Sequence, residues 1–130
     1  MQDSIFTKII KGEIPCHKIY EDDKTFAFLD IHPVQPGHTL VIPKQQVDKI
    51  YDLTDEDYQA VMFTAKRVAT RLQEVMNTPR IAYAVVGFDV PHAHVHLVPT
   101  THGFPDLDPK NAVAEPDHAE LAKLAEKLKF

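Results

Sequence analysis

Cysteine is nearly absent from this 130-residue sequence, since Cys16 is its only thiol. A lone cysteine excludes an intrachain disulfide and a cysteine-rich zinc site, and it favours a reducing compartment. The sequence also has no apolar run approaching the roughly 20 residues that span a membrane. Its start, MQDSIFTKII, lacks the apolar core of a secretory signal. We therefore expect a cytoplasmic protein with no membrane partner.

Positive charge is also scarce. Lys and Arg number 14 against 19 Asp and Glu, which gives a formal net charge of −5. Because binding to nucleic acid or to an anionic membrane needs a positive surface, we expect neither partner. A small anionic ligand stays open, since a pocket sets its own local field. With 44% hydrophobic and 25% charged residues, the composition is that of a globular protein.

The hydrophobic periodicity predicts an α+β fold with a five-stranded antiparallel sheet. A short amino-terminal helix is expected to begin at Asp3 or Ser4 and to end at Gly12. A long amphipathic helix covers residues 55–76, and a last helix covers residues 116–129. The predicted strands are HKIYEDD, which runs into a tight turn at residues 22–24, and TFAFLDI, HTLVIP, RIAYAVVGF and HAHVHLVP.

Three of the eight histidines lie within five residues, in HAHVHLVP. Because side chains alternate across a strand, we expect His92, His94 and His96 to share one face at a spacing of roughly 6–7 Å. The apolar residues between them would pack into the core on the other face. Such a row of imidazoles would be held on a rigid element.

Three interpretations of this histidine row are open from the residues alone. It could be an exposed strand face that is merely rich in histidine. It could bind zinc or iron, with His38 or Asp89 completing the ligand shell. It could also perform nucleophilic catalysis, in which a neutral imidazole attacks phosphorus while its neighbours donate hydrogen bonds and move protons. The chemistry favours the third interpretation.

The row resembles the defining His-x-His-x-His motif of the histidine triad superfamily of nucleotide hydrolases and transferases. The resemblance extends through DSIFTKIIKGEIP and YEDDKTFAFLDIHPVQPGHTLVIPK, which are similar to the Hint branch of that superfamily. It covers about residues 3–99. It implies an HIT-like fold for a single domain of residues 1–130, in which residues 100–130 add a loop and the last helix.

The resemblance also implies a reaction. The middle histidine, His94, would attack the α-phosphorus of a nucleoside 5′-phosphoramidate or a related nucleotide and release the amine. Water would then resolve the nucleotidylated histidine. His96 would contact the phosphate oxygens, while His92 and His38 would complete the polar network that orients His94.

A nucleotide pocket is implied as well. Asp30 would accept hydrogen bonds from the ribose hydroxyls, and four apolar side chains would enclose a purine: Phe6, Ile9, Phe28 and Ile31. A carboxylate accepts two hydroxyl hydrogen bonds and apolar walls cover a flat base. The competing interpretation is that the four apolar residues belong to the core and that Asp30 is a turn residue.

One departure from the family concerns a metal. Many members hold structural zinc with two cysteines, a histidine and the first histidine of the row. This sequence has Ser4, Thr7 and Gln46 at the first three of those positions and keeps only His92. We therefore expect no metal, which elemental analysis of protein purified without added metal would test.

A second departure lies just before the row. Hint proteins place Asn, Gln and often Ser near the phosphate, whereas this sequence has Phe88 at the Gln position and Asp89 at the Ser position. A carboxylate close to a phosphate would repel it, unless Asp89 turns away or is protonated. It could instead accept a proton. Substrate preference and rate are thus open.

The sequence as a whole predicts a metal-independent enzyme without a cofactor, which hydrolyses nucleoside phosphoramidates with a purine base. The resemblance implies a homodimer. Two other functions stay open. One is a nucleotide-binding or scaffold protein with little turnover, and the other is a dinucleoside polyphosphate hydrolase or nucleotidyl transferase.

Overall fold

The structure, a computed structural model, describes residues 2–130. Within them lie three α-helices and five strands joined by turns and short 3₁₀ segments. In chain order these elements are α1 (Ile5–Ile10), β1 (Lys18–Glu21), β2 (Thr25–Leu29), β3 (Thr39–Pro43), α2 (Asp55–Met76), β4 (Arg80–Ala84), β5 (Val95–Thr100) and α3 (His118–Leu128).

The strands form one antiparallel sheet in the order β1-β2-β3-β5-β4, which confirms the predicted α+β fold. The long segment between β3 and β4 contains α2, which packs on one face of the sheet. As a result, β5 inserts between β3 and β4. No helix in residues 2–130 has both the length and the apolar character needed to cross a bilayer.

The sheet has a different apolar cluster on each face. The main core contains side chains of α2, α3 and one set of alternating strand residues, such as Ala27, Val41 and Leu97. The other face carries a smaller, aromatic cluster, whose buried members are Phe6, Phe26, Phe28, Leu40 and Ile42. Strands buried on both faces read as continuous apolar runs, as TFAFL and TLVIP do.

The helices begin and end where local sequence signals place them. Ser4 Oγ accepts a hydrogen bond from Thr7 N–H at 3.0 Å and caps α1. Thr54 Oγ1 caps α2 through Asp57 N–H, and Asn77 ends α2 in the left-handed conformation. The prediction of residues 55–76 is confirmed. For α3 the prediction of residues 116–129 was one or two residues too long at each end.

The prediction of one strand carrying all three histidines is wrong. β5 begins at Val95, so His92 and His94 precede it and only His96 lies within it. The ladder stops because Pro43, at the end of β3, has no N–H to continue it. Ala93 N–H donates instead to Val47 O at 2.7 Å. The three imidazoles therefore do not form a single row on one face.

Two other strands end earlier than predicted. β2 ends at Leu29 rather than at Ile31, because Asp30 Oδ1 accepts a hydrogen bond from His32 N–H at 2.8 Å and turns the chain. β4 ends at Ala84 rather than at Phe88.

Gly37, directly before His38, lies where a side chain would be crowded. Its φ of 90° favours glycine, and a Cβ there would lie 2.9 Å from Pro99 Cγ and 3.1 Å from Met76 Cγ. We expect Gly37→Ala to lower the free energy of unfolding, measured by urea denaturation, by about 2–4 kcal/mol. Gly12→Ala is the matched control, because Gly12 has a φ of 80° and open space around it. Equal losses in the two variants would contradict a contribution from the close contacts.

Candidate active site

The candidate site lies on the aromatic face of the sheet, opposite α2. The register aligns Phe28, Leu40 and His96 across three neighbouring strands. Asp30 lies two residues beyond Phe28 and His38 two residues before Leu40, so both fall on this same face. The antiparallel pairing thus brings together residues that are up to 68 positions apart in the chain.

His94 lies in the short extended segment before β5, and its ring is nearly buried. Its Nδ1 lies 2.8 Å from the backbone oxygen of His92. Because a carbonyl only accepts, Nδ1 carries the proton and Nε2 keeps a free lone pair. The ring packs edge-on against His96 at a centroid distance of 4.9 Å and against Phe6 at 5.1 Å. The site therefore contains an oriented imidazole whose Nδ1 is bound to the backbone and whose Nε2 is the nitrogen available to a ligand.

A second chain of hydrogen bonds fixes the proton of His96. Val34 N–H donates to His38 Nδ1 at 3.2 Å, so the proton of His38 lies on Nε2. His38 Nε2 lies 2.9 Å from His96 Nδ1 and donates to it. His96 Nδ1 is thus an acceptor, and its proton lies on Nε2. His94 and His96 consequently present opposite characters, a lone pair on one and an N–H donor on the other.

Burial favours the neutral form of His38, His92 and His96. It lowers the pKa of His96 from 6.5 to about 4, and the neighbouring His38 and His94 add to that shift. Burial also lowers the pKa of His38, although the carboxylate of Asp30, whose Oδ2 is 3.6 Å from His38 Nε2, opposes this effect. For His92, burial again lowers the pKa. At neutral pH these three imidazoles are uncharged.

The residues predicted to enclose a base are partly brought together. Phe6 and Phe28 contact each other with a centroid distance of 5.5 Å, but both rings are almost fully covered. Ile9 packs against the same cluster and is half-buried. Ile31 is 37% exposed and lies next to Asp30 in the chain. Ile9 and Ile31 thus offer more accessible apolar surface than the two phenylalanines.

Asp89 lies exposed in the loop between β4 and β5. Its carboxylate is near enough to His96 that its charge raises the pKa of that imidazole slightly, against the larger effect of burial. Phe88, beside it, is 93% exposed. The loop therefore places a negative charge, rather than an amide, on the approach to His96.

The four positions that resemble a family zinc site do converge, but their side chains bind one another. Ser4 Oγ lies 2.8 Å from His92 Nδ1, and Thr7 Oγ1 donates to Gln46 Oε1 at 2.7 Å. Hydroxyl and amide groups are not the ligands of structural zinc, which binds thiolate, imidazole and carboxylate. Only His92 offers such a ligand, and its Nδ1 is already engaged. This set does not fit a zinc ion.

A second group has the spacing of metal ligands. One ligand atom each from Asp30, His38 and His96 lies within 4.8 Å of the others. An ion bound to His38 Nε2 would displace the proton that this nitrogen carries. The proton would move to Nδ1 and oppose the donor Val34 N–H. The hydrogen bonds of this group therefore favour the metal-free arrangement.

Sequence reasoning missed the backbone groups that fix the imidazole protons. These are Val34 N–H at His38, the carbonyl of His92 at His94, and the carbonyl of Pro43, which lies 2.8 Å from His92 Nε2. Every residue has a backbone C=O, and every residue except proline has a backbone N–H. The residue type therefore does not signal these roles. Only the three-dimensional arrangement identifies them.

Comparison with known proteins agrees with the fold. The model of the HIT domain family matches residues 11–103. The chain is 36% identical over 138 aligned residues to an adenosine 5′-monophosphoramidase of Candida albicans, covering 96% of this chain and 88% of that protein. It is 37% identical to an adenosine 5′-monophosphoramidase of Saccharomyces cerevisiae over 129 residues, covering 95% and 79%.

Solved structures show the same likeness. A Hit-like protein from Bartonella henselae superposes with a TM-score of 0.82 at 30% identity, covering 98% of this chain and 95% of that one. A Zn-bound histidine triad family protein from Mycobacterium smegmatis superposes with a TM-score of 0.79 at 30% identity, covering 95% and 91%.

Proposed function

The chain belongs to the HIT domain family, and from this membership we propose that it is a nucleotide hydrolase that cleaves nucleoside 5′-phosphoramidates through His94. The observation that carries the proposal is the hydrogen bond from His94 Nδ1–H to the His92 carbonyl, because it makes Nε2 the ring nitrogen that is left to act as the nucleophile. The names of the two yeast relatives support the substrate class.

The proposed reaction has two steps. His94 Nε2 forms a bond to the α-phosphorus while the bond from phosphorus to the amine breaks, and the departing amine takes a proton from water. A water molecule then attacks the same phosphorus, the bond to His94 breaks, and the nucleoside monophosphate is released. The proton that this water loses neutralises the hydroxide left in the first step. The His94 ring becomes positively charged in the first step, and the His92 carbonyl stabilises that charge through the existing hydrogen bond.

We assign to His96 the role of a hydrogen-bond donor to the phosphate. With a pKa of about 4, His96 is neutral at pH 7 and does not supply a proton as an imidazolium would. Its Nε2–H donates a hydrogen bond, and His38 Nε2–H holds its other nitrogen. His38 is thus the residue that orients His96. His92 acts through its carbonyl rather than by contact with substrate.

For the nucleoside, we propose that Asp30 binds the ribose hydroxyls and that apolar residues cover a purine. The half-exposed Asp30 carboxylate lies beside His38, on the same face as the imidazoles. Ile9 and Ile31 supply accessible apolar surface, with Phe6 and Phe28 beneath it. No cofactor or metal takes part in this proposal.

A substrate panel followed by phosphorus NMR tests the proposal. Incubation with adenosine 5′-phosphoramidate is expected to produce adenosine monophosphate, while a dinucleoside polyphosphate in the same panel reports on the related hydrolase activity. The position of Asp89 near His96 favours one rival, a nucleotide-binding protein with little turnover. Binding of adenosine monophosphate without turnover of any substrate would support that rival and contradict the proposal.

We also propose a cytoplasmic homodimer that pairs through β4. Within residues 2–130, β4 pairs only with β5, whereas at the opposite edge of the sheet Phe130 N–H donates to Ile19 O of β1. Phe63 on α2 and Tyr83 on β4 are 64% and 44% exposed, and aromatic residues are enriched at interfaces. Sedimentation equilibrium at micromolar concentration is expected to give twice the chain mass, and a chain-sized particle would contradict the dimer.

A further inference from the structure

A buried network of polar side chains connects the beginning of α1 to the segment that precedes β5. Its members are Ser4, Thr7, Gln46 and His92. We propose that Ser4 and Gln46 are positioning residues for His94, acting through the tautomer and the backbone of His92. This inference rests on the proposed function, in which His94 is the nucleophile.

The shortest contacts between side chains of the network, Ser4 Oγ to His92 Nδ1 and Thr7 Oγ1 to Gln46 Oε1, define the arrangement of its protons. His92 Nε2 lies 2.8 Å from Pro43 O, which only accepts, so the ring proton is on Nε2. His92 Nδ1 is then an acceptor, and Ser4 Oγ donates to it at 2.8 Å. The same Ser4 Oγ accepts the capping hydrogen bond from Thr7 N–H. Ser4 is therefore both the cap of α1 and the donor that fixes the tautomer of His92.

Gln46 holds the network from the other side. Its Oε1 accepts hydrogen bonds from Ser4 N–H and Thr7 Oγ1–H, each at 2.7 Å. The next residue, Val47, accepts a hydrogen bond from Ala93 N–H at 2.7 Å through its backbone oxygen. Residues 46 and 47 thus bind both the side-chain network and the peptide group that joins His92 to Ala93.

That peptide group is the one that orients His94. Its N–H donates to Val47 O. Its C=O, which points in the opposite direction within the peptide plane, accepts from His94 Nδ1–H at 2.8 Å. The His92 ring, anchored at both nitrogens, keeps the plane from rotating. Because His92 is fully buried, neither nitrogen has water as an alternative partner.

The network also connects the base side of the site to the nucleophile. Phe6, two residues after Ser4 in the first turn of α1, packs edge-on against His92 at 5.8 Å and against His94 at 5.1 Å. A shift of α1 therefore moves the cap, the Phe6 ring and the His92 anchor together. Loss of the Ser4 hydroxyl should loosen His94 without touching the phosphate-binding groups.

Steady-state kinetics of Ser4→Ala test the proposal. Since the hydroxyl acts on the orientation of the nucleophile, we expect kcat to fall about tenfold while KM changes by less than about twofold. Ser4→Thr keeps a capping hydroxyl and is expected to restore kcat. Thr54→Ala, which removes the N-cap of α2 away from the site, is the matched control and should leave kcat unchanged despite a similar loss of stability. A kcat of Ser4→Ala equal to that of the unaltered protein would overturn the proposal.

Nitrogen-15 NMR of the imidazoles gives a readout that needs no substrate. In the unaltered protein near pH 7, His92 is expected to carry its proton on Nε2 and His94 on Nδ1. In Ser4→Ala we expect His94 to populate both tautomers. Finding the His92 proton on Nδ1 in the unaltered protein would overturn this inference, whereas a protein with the expected tautomers and no turnover would contradict only the proposed function.

Discussion

Replacing His94 by Asn is expected to lower the turnover of adenosine 5′-phosphoramidate by at least about 10⁴-fold. The Asn side-chain amide can still donate to the His92 carbonyl, so the fold and the local hydrogen bond are retained. What the variant lacks is the Nε2 lone pair that forms the bond to phosphorus. A 10⁴-fold loss corresponds to about 5.5 kcal/mol in the activation free energy. Binding of adenosine monophosphate is expected to change little.

His118→Asn is the matched control for this variant. His118 is an exposed histidine on α3, where it contacts His17, and the buried residues of α3 pack in the main core rather than in the aromatic cluster. Its replacement removes an imidazole without affecting the site, and turnover should stay within twofold of the unaltered protein, roughly the scatter of such measurements. If His94→Asn retained turnover within about tenfold, the covalent role of His94 would be wrong.

The free energy of unfolding is expected to decrease by about 3 kcal/mol as the pH falls from 7 to 4, because of His96 alone. Its pKa is about 4 in the folded protein and about 6.5 in the unfolded chain. Between these values the unfolded chain binds a proton that the folded protein does not, so acid favours unfolding. The stabilisation is complete above pH 6.5 and is lost as the pH falls towards 4. Urea denaturation across this range measures it.

His96→Asn provides the control for the pH dependence. Asn Oδ1 can replace His96 Nδ1 as the acceptor for His38 Nε2–H, but it does not titrate. Between pH 7 and pH 4, the free energy of unfolding of this variant should decrease by about 3 kcal/mol less than that of the unaltered protein. A residual slope is expected from His38 and His92, whose pKa values burial also lowers. An identical pH profile for both proteins would contradict the shifted pKa of His96.

Long periodic segments were predictable from the sequence because their signals are local. The helix of residues 55–76 has an apolar stripe, an N-cap at Thr54 and a stop at Asn77, and the structure begins and ends it at those residues. The five strands were also predictable in number and order along the chain, since each is a short apolar run bounded by turns. Their order in the sheet was not predicted, because it depends on long-range pairing that the runs themselves do not signal.

The histidine row shows where local reasoning failed. Alternation predicted a strand through His92, but strand formation also depends on what the neighbouring strand offers. Pro43 ends β3 and Ala84 ends β4, so residues 92–94 have no ladder to join. This matters for the proposed function, because outside the ladder the His92 carbonyl is free to accept the hydrogen bond of His94 Nδ1–H.

The absence of the family zinc ligands was visible in the sequence, but what replaces them was not. Ser4, Thr7 and Gln46 are ordinary polar residues at their positions, separated by up to 42 residues. Their hydrogen bonds to one another and to His92 depend on the packing of α1 against the segment after β3. Long-range contacts of this kind have no signature in residue type or spacing.

Trapping the covalent intermediate tests the central claim most directly. The protein would be mixed with adenosine 5′-phosphoramidate, quenched with alkali within the first turnover, and digested for mass spectrometry, since a phosphorus–nitrogen bond to histidine is labile in acid. We predict a peptide that carries an adenosine monophosphate group on His94, which is missing from His94→Asn. Turnover with no labelled peptide, or with the group on another residue, would contradict the account.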